Sequence, residues 1–153
     1  MALTHSTTRN SDLLARLLGE RRPLVMGILN ITPDSFSDGG RFIDPDAALA
    51  QARRMQAEGA DILDIGAEST RPYVGAQPVS LDDELARLTP VLRPVIELGL
   101  PVSIDTIKAK VAAWALEQGA AMLNDVWGLQ RDPEMAHVAA GRATFPQVDC
   151  CLS

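Results

Sequence analysis

Polar side chains collect where apolar runs of this chain stop, and those positions could do chemistry. Asn30 closes the run Leu24 to Leu29, Asp105 follows Val102-Ser103-Ile104, and Asn124 follows Met122-Leu123. Thr70 and Arg71 lie just beyond the run Ile62-Leu63-Asp64-Ile65-Gly66. A carboxamide oxygen such as that of Asn30 suits a hard cation like Mg²⁺, which takes oxygen ligands and keeps waters and phosphates around it. It suits a cap on the following loop equally well. Arg71 is a planar, permanent cation matched to a diphosphate or a carboxylate, although a lone loop arginine also serves as a solvated surface charge. Asp105 with Asn124 can read a ligand's donor–acceptor edge by paired hydrogen bonds, and a buried pair used this way rejects ligands that leave it unpaired. Either residue could instead cap the next helix, and Thr106 and Asp125 compete for the same roles. No nucleophile–base pair and no metal-cluster spacing is present, so chemistry here would rest on positioning and electrostatics.

A repeated unit must hold these residues in place. Glu58-Gly59-Ala60 precedes the strand Ile62–Ile65, Glu97-Leu98-Gly99-Leu100 precedes Val102–Ile104, and Glu117-Gln118-Gly119-Ala120 precedes Met122-Leu123. In each, a helix ends at a glycine suited to positive φ, a short apolar strand follows, and an Asp or Asn closes it. Helix starts are marked as well. Asp44 caps a helix opened by Pro45, with Ala48, Leu49, Ala52 and Met55 inward. Ser80 with Asp83 approximates a capping box, and Leu81, Leu85, Leu88, Leu92 and Val95 keep helical spacing. Pro90 and Pro94 interrupt that pattern and predict a kink or break. Thr106 is expected to cap a helix with Val111, Ala112, Ala115 and Leu116 on one side, and Asp132-Pro133-Glu134 opens a last short helix to about Ala140.

About four strand–helix units after a leading helix near residues 11–18 give an α/β class with a parallel sheet covered by helices. A doubly wound sheet and an eightfold barrel both fit that order. The glycine fingerprint of dinucleotide folds is missing after the first strand, and polar residues at successive strand ends favour the barrel. Such a barrel takes about 250 residues, so this is read as the N-terminal half of a (β/α)8 TIM barrel. Residues 1–22 form a leader with a short helix, 23–140 the half barrel, and 141–153 an irregular tail with Pro146 in its one apolar stretch. A fifth strand is due there and does not arrive, as after a frameshift or premature stop.

Three segments carry a resemblance. They are Met26-Gly-Ile-Leu-Asn30-Ile-Thr-Pro-Asp34-Ser-Phe36-Ser-Asp38-Gly39-Gly40, Asp64-Ile-Gly-Ala-Glu68-Ser-Thr70-Arg71-Pro72 and Ser103-Ile-Asp105-Thr106. In that order they resemble dihydropteroate synthase, the pterin-binding enzyme family of folate synthesis. The resemblance implies condensation of 6-hydroxymethyl-7,8-dihydropterin diphosphate with p-aminobenzoate to give 7,8-dihydropteroate and diphosphate. It implies that Asn30 contacts a Mg²⁺ held by the substrate diphosphate, and that Asp34, Ser35, Phe36, Ser37 and Asp38 form a first loop closing over p-aminobenzoate. Thr70 and Arg71 would lie beside diphosphate and p-aminobenzoate, and Asp105 and Asn124 would read the pterin. Tyr73-Val74 stand between Pro72 and Gly75, where the family's commoner form has glycine directly after proline. The family's second half would add another Asp, a Lys and an Arg–His pair that this sequence does not carry, so turnover by the chain alone is not expected. Two other readings stay open: a non-catalytic pterin-binding or interaction module, and the pterin domain of a methyltetrahydrofolate-dependent methyltransferase.

Composition bounds the remaining choices. The net charge is −6 with no basic tract, which argues against nucleic acid or an anionic membrane as partner. Residues 1–10 are polar, without a secretory apolar core, and no run approaches the ~20 residues of a membrane span. A cytoplasmic protein of small-molecule substrates is expected, with open sheet edges that could pair two copies as a homodimer. The adjacent Cys150 and Cys151 make a poor disulfide pair and have no metal spacing. His5 and His137 have no partner in sequence, and Trp114 and Trp127 are expected to pack.

Overall fold

The computed structural model describes residues 12–32, 44–68 and 78–141. A leading helix α1 covers residues 12–18. Four strand–helix units follow: β1 (Met26–Asn30) and α2 (Pro45–Ala57), β2 (Ile62–Gly66) and α3 (Leu81–Ile96), β3 (Val102–Asp105) and α4 (Ala109–Gln118), β4 (Met122–Asn124) and α5 (Met135–Gly141). The strands are all parallel and lie in the order β1-β2-β3-β4. The expected α/β class and the strand–helix alternation are both observed.

Side chains alternate across a strand, so laterally paired residues share a face. Leu29, Ile65 and Ile104 are paired in register and fully buried against Ala48, Ala52, Leu88, Leu92, Val95, Val111 and Ala115 of the helices. This is the main core, and its helical members are those the apolar spacing identified. The opposite face carries Met26, Ile28 and Asn30 of β1, then Ile62, Asp64 and Gly66, then Ser103 and Asp105, then Met122 and Asn124. Leu14 of α1 is buried with Ile62 and Ala121, with Leu24 and Met122 against them, so the leading helix covers the amino end of that second face. On β1 the face stays open: Met26 and Ile28 are exposed, Ile28 by 60%.

Local signals explain the helix ends. The Asp44 side chain accepts from the Asp46 N–H at 3.0 Å, and Pro45 occupies the first turn. Ser80 Oγ accepts from the Asp83 N–H at 3.1 Å and donates to Asp83 Oδ2 at 2.7 Å. Gly119 ends α4 with φ of 112°, a left-handed conformation that costs a residue with a Cβ far more.

Three expectations need correction. Of the kink or break expected at Pro90 and Pro94, the break is absent, and α3 runs on through both. The carbonyls deprived of an N–H partner belong to Ala86 and Pro90, both exposed, where water can replace the missing donor. Thr106 is not the cap of α4. The helix begins later, at Ala109, whose N–H donates to Asp132 Oδ2 at 2.8 Å across the β4–α5 connection. Trp127 is 53% exposed, with the Arg131 guanidinium 5.2 Å from its ring centre, whereas Trp114 packs on the core as expected. A tryptophan in a polar turn has no buried face to fill, and cation–π stacking is the contact left to it.

Asp132 thus serves two helices, because its Oδ1 also accepts from the Glu134 N–H at 3.1 Å. Asp132→Ala is expected to lower stability by about 1–2 kcal/mol. A urea melt would show this as a lower midpoint with an unchanged slope, and a smaller loss in Asp132→Asn.

Candidate functional site

Register builds the site. Asn30, Gly66, Asp105 and Asn124 are successive lateral partners at the carboxyl ends of the four strands. One row deeper lie Ile28, Asp64, Ser103 and Met122. Of the residues singled out in the sequence, Asn30, Asp105 and Asn124 therefore come together on one face. Gly66 leaves a gap in the row, and the Asp105 carboxylate fills it: a Cβ placed on Gly66 would sit 3.4 Å from Asp105 Oδ2.

The competing assignments resolve by contact. Thr106 Oγ1 donates to Glu84 Oε1 at 2.7 Å and accepts from the Lys108 N–H, so it serves the loop and leaves the face to Asp105. Asp125 accepts from the N–H groups of Trp127 and Leu129, both at 2.9 Å, and organises its own turn. Asn124 donates from Nδ2 to Asp64 Oδ2 at 3.1 Å.

Asp64 is a residue that sequence reasoning passed over. It is 3% exposed, in the middle of an otherwise apolar strand, and that isolation was the available signal. Three buried oxygens on this face have no partner among the described residues: Asp64 Oδ1, Ser103 Oγ and Asp105 Oδ1. Two carboxylates and a hydroxyl left this way make a cradle for N–H donors or positive charge. The Asp105 carboxyl is pushed up to about 6, first by desolvation and then by the negative charges of Asp64, Glu84, Asp125 and Glu68. No group here is placed as a nucleophile.

A second cluster flanks it. Lys108 Nζ bridges Glu68 Oε2 at 2.5 Å and Glu84 Oε2 at 2.7 Å, with Glu84 fully buried. Burial opposes the ammonium charge, but the hydrogen bonds and the charges of both glutamates outweigh it and raise the Lys108 pKa. Glu68 Oε1 accepts from the Val79 N–H at 3.2 Å, and Arg87 donates to the Ala67 carbonyl at 2.7 Å. The chain is therefore fastened on both sides of residues 69–77. Glu84 was also missed, although its place between Leu81 and Leu88 puts it on the apolar stripe of α3. Thr70 and Arg71 lie outside the described residues, as do Asp34, Ser35, Phe36, Ser37, Asp38 and the Tyr73-Val74 pair. His137 is exposed.

Two outcomes follow. Folded Asp105 titrates at about 6 against 3.8 for an unperturbed aspartate, so the folded chain binds the extra proton between those pH values. Its ionisation thus lowers stability as pH rises through that window, and the loss is complete above about pH 6. Asp105→Asn should stabilise the fold at pH 7.5 by roughly 1 kcal/mol after solvent screening, seen as a higher melting temperature, with the advantage vanishing near pH 4. Lys108→Met would leave Glu84 buried without its cation, a loss of about 3–5 kcal/mol. Chemical denaturation should show most of that restored when Glu84→Leu is added, since both charges are then gone.

Residues 26–146 match the family model described as pterin binding enzyme. The dihydropteroate synthase of Bacillus subtilis is 54% identical over 122 residues, which are 79% of this chain and 42% of that protein. Two solved structures superpose on it. One is Xanthomonas albilineans dihydropteroate synthase with 4-aminobenzoic acid, with TM-score 0.72 and 48% identity, covering 79% of this chain and 44% of that one. The other is Clostridium difficile dihydropteroate synthase in the presence of pteroic acid, with TM-score 0.73 and 51% identity, covering 79% and 46%. The chain spans less than half the length of each of these relatives.

Proposed function

This chain belongs to the pterin-binding enzyme family, and from that membership we propose that it carries the pterin-reading strands of a dihydropteroate synthase. The observation that carries the reading is the lateral pair Asp105 and Asn124, a carboxylate with an unpartnered oxygen beside a carboxamide, at adjacent strand ends. A reduced pterin offers ring and exocyclic N–H groups, and such a face lacks donors. One relative's structure is with 4-aminobenzoic acid and another's is in the presence of pteroic acid, which supports an aromatic amine and a pterin as the two substrates.

In this reading the amine nitrogen of p-aminobenzoate attacks the methylene carbon of 6-hydroxymethyl-7,8-dihydropterin diphosphate. The carbon–oxygen bond to diphosphate breaks, diphosphate leaves with the electron pair, and the amine loses a proton. Asp105 and Asn124 hold the pterin, Thr70 and Arg71 take the diphosphate side, and Asp34 to Asp38 cover the amine. Among the described residues no group of three or more His, Cys, Asp or Glu side chains could hold a metal. A lone exposed carboxamide at Asn30 fits a Mg²⁺ whose other oxygens come from water and diphosphate. When bound, the ion would offset charge on the departing diphosphate.

Residues 23–140 are the pterin-binding half of the (β/α)8 barrel, and the exposed Met26 and Ile28 are the surface on which further strands or a second copy would close it. No helix of the described residues is long and apolar enough to cross a membrane, and we place the protein in the cytoplasm.

The test joins residues 1–141 in frame to the remaining part of the Bacillus subtilis synthase. The fusion is expected to form dihydropteroate and release diphosphate. Asp105→Ala in it should weaken pterin binding by about 10- to 100-fold, the equivalent of one charged hydrogen bond. A folded fusion that binds pterin without releasing diphosphate would make the chain a binding module. Methyl transfer from methyltetrahydrofolate would make it the methyltransferase domain.

A further inference from the structure

Asp64 is buried in the centre of a parallel sheet, and its own folding gains little from it. Of its two carboxylate oxygens, Oδ1 has no partner among the described residues, and the neighbouring Ser103 hydroxyl is equally unpartnered. An apolar residue at position 64 would avoid the cost of the unsatisfied carboxylate oxygen, about 1–3 kcal/mol. Among the described residues its one side-chain bond is the one accepted by Oδ2 from Asn124 Nδ2. Asp64 Oδ2 accepts this bond, so the amino end of the Asn124 carboxamide faces it. With Nδ2 turned toward β2, the carbonyl oxygen of Asn124 is left on the other side of its carboxamide, where it can accept from a ligand.

We propose that Asp64 is a positioning residue that sets the polarity of Asn124, so that Asn124 and Asp105 present acceptor oxygens together. The inference deepens the pterin-reading proposal and rests on it for the identity of the ligand. With the amide locked, the rim of the site is built from acceptors and selects a ligand edge rich in N–H donors. Without Asp64 the carboxamide turns freely, and half of its orientations oppose a donor with a donor. Asp64 itself lies one row below the rim, too deep to belong to the rim row. It acts through Asn124.

The test reads the carboxamide directly. The chain contains asparagine only at positions 10, 30 and 124, so ¹⁵N-asparagine labelling resolves the Asn124 side-chain amide by NMR. Exchange of its Nδ2 hydrogens is expected to quicken by roughly 10-fold or more in Asp64→Ala, and to quicken in the isosteric Asp64→Asn, which is the safer variant for folding. Backbone amides of β2 and β3 should keep their protection in Asp64→Asn. Unchanged Nδ2 exchange would overturn the proposal, and so would a general loss of sheet protection in both variants, which would make Asp64 merely structural. A titration with 6-hydroxymethyl-7,8-dihydropterin adds a second arm: Asp64→Asn should weaken binding by about 10-fold, and undiminished affinity would overturn the positioning role. If the unaltered chain binds no pterin, the proposed function fails for this chain, while the exchange result still decides what Asp64 does.

Discussion

The lateral register of four parallel strands is the constraint on which the rest depends. Because side chains alternate, a slip of one residue in any strand would turn its inner face outward. β2 shows what is at stake. In the observed register Leu63 and Ile65 meet the helices while Asp64 and Gly66 face the other way. Slipped by one, the strand would drive a carboxylate into the core formed by Ala48, Leu88 and Leu92. The apolar face thus holds the polar one in line. Asn30, Gly66, Asp105 and Asn124 reach one row because Leu29, Ile65 and Ile104 are buried together one residue earlier.

That alignment has an electrostatic cost, since Asp64 and Asp105 stand on one half-buried face. The protein sets cations elsewhere: Lys108 is committed to Glu68 and Glu84, and Arg22 to Asp61 and Glu20 at the amino ends of the strands. Arg22 holds the Asp61 carboxyl down at about 2 by its hydrogen bonds, the reverse of the push on Asp105. The contrast separates two uses of an aspartate in one sheet. At the amino end it is paired and serves the fold. At the carboxyl end it is left short of donors, the expected state of a face that waits for a ligand.

Most of the fold was legible because its signals are local. Glycines 59, 99 and 119, the caps Asp44 and Ser80, and the helical stripes each act within a few residues, and each is found as expected. What stayed illegible came from contacts remote in sequence. Asp132 displaces Thr106 as the cap of α4 from 23 residues away, and Thr106 turns instead to Glu84 across 22. Pro90 and Pro94 read as a kink or a break, and whether the helix continues depends on whether the orphaned carbonyls meet water, which is a tertiary fact. Asn30, Asp105 and Asn124 could be named from their position at strand ends. Asp64 could not, because a lone acid in an apolar strand gains meaning only when its partner, 60 residues on, is known.

The two clusters share a frame. Glu84 belongs to α3, Glu68 follows β2, and Thr106 with Lys108 follows β3, so one ion-paired knot joins the exits of two neighbouring strands. Asp105 is the last residue of β3 and stands immediately before Thr106 in that knot. Asp64 and Glu68 lie four residues apart on the other branch. The unpartnered carboxylates of the polar face and the ion-paired knot are therefore fixed to the same two strands. Chemistry that depends on holding two reactants in line needs such a shared reference, since an error of an ångström between them costs rate even when each is bound well. The buried knot is a poor choice for stability alone, as apolar residues could fill the same space. It becomes intelligible as the part that holds the exits of β2 and β3 at a constant separation.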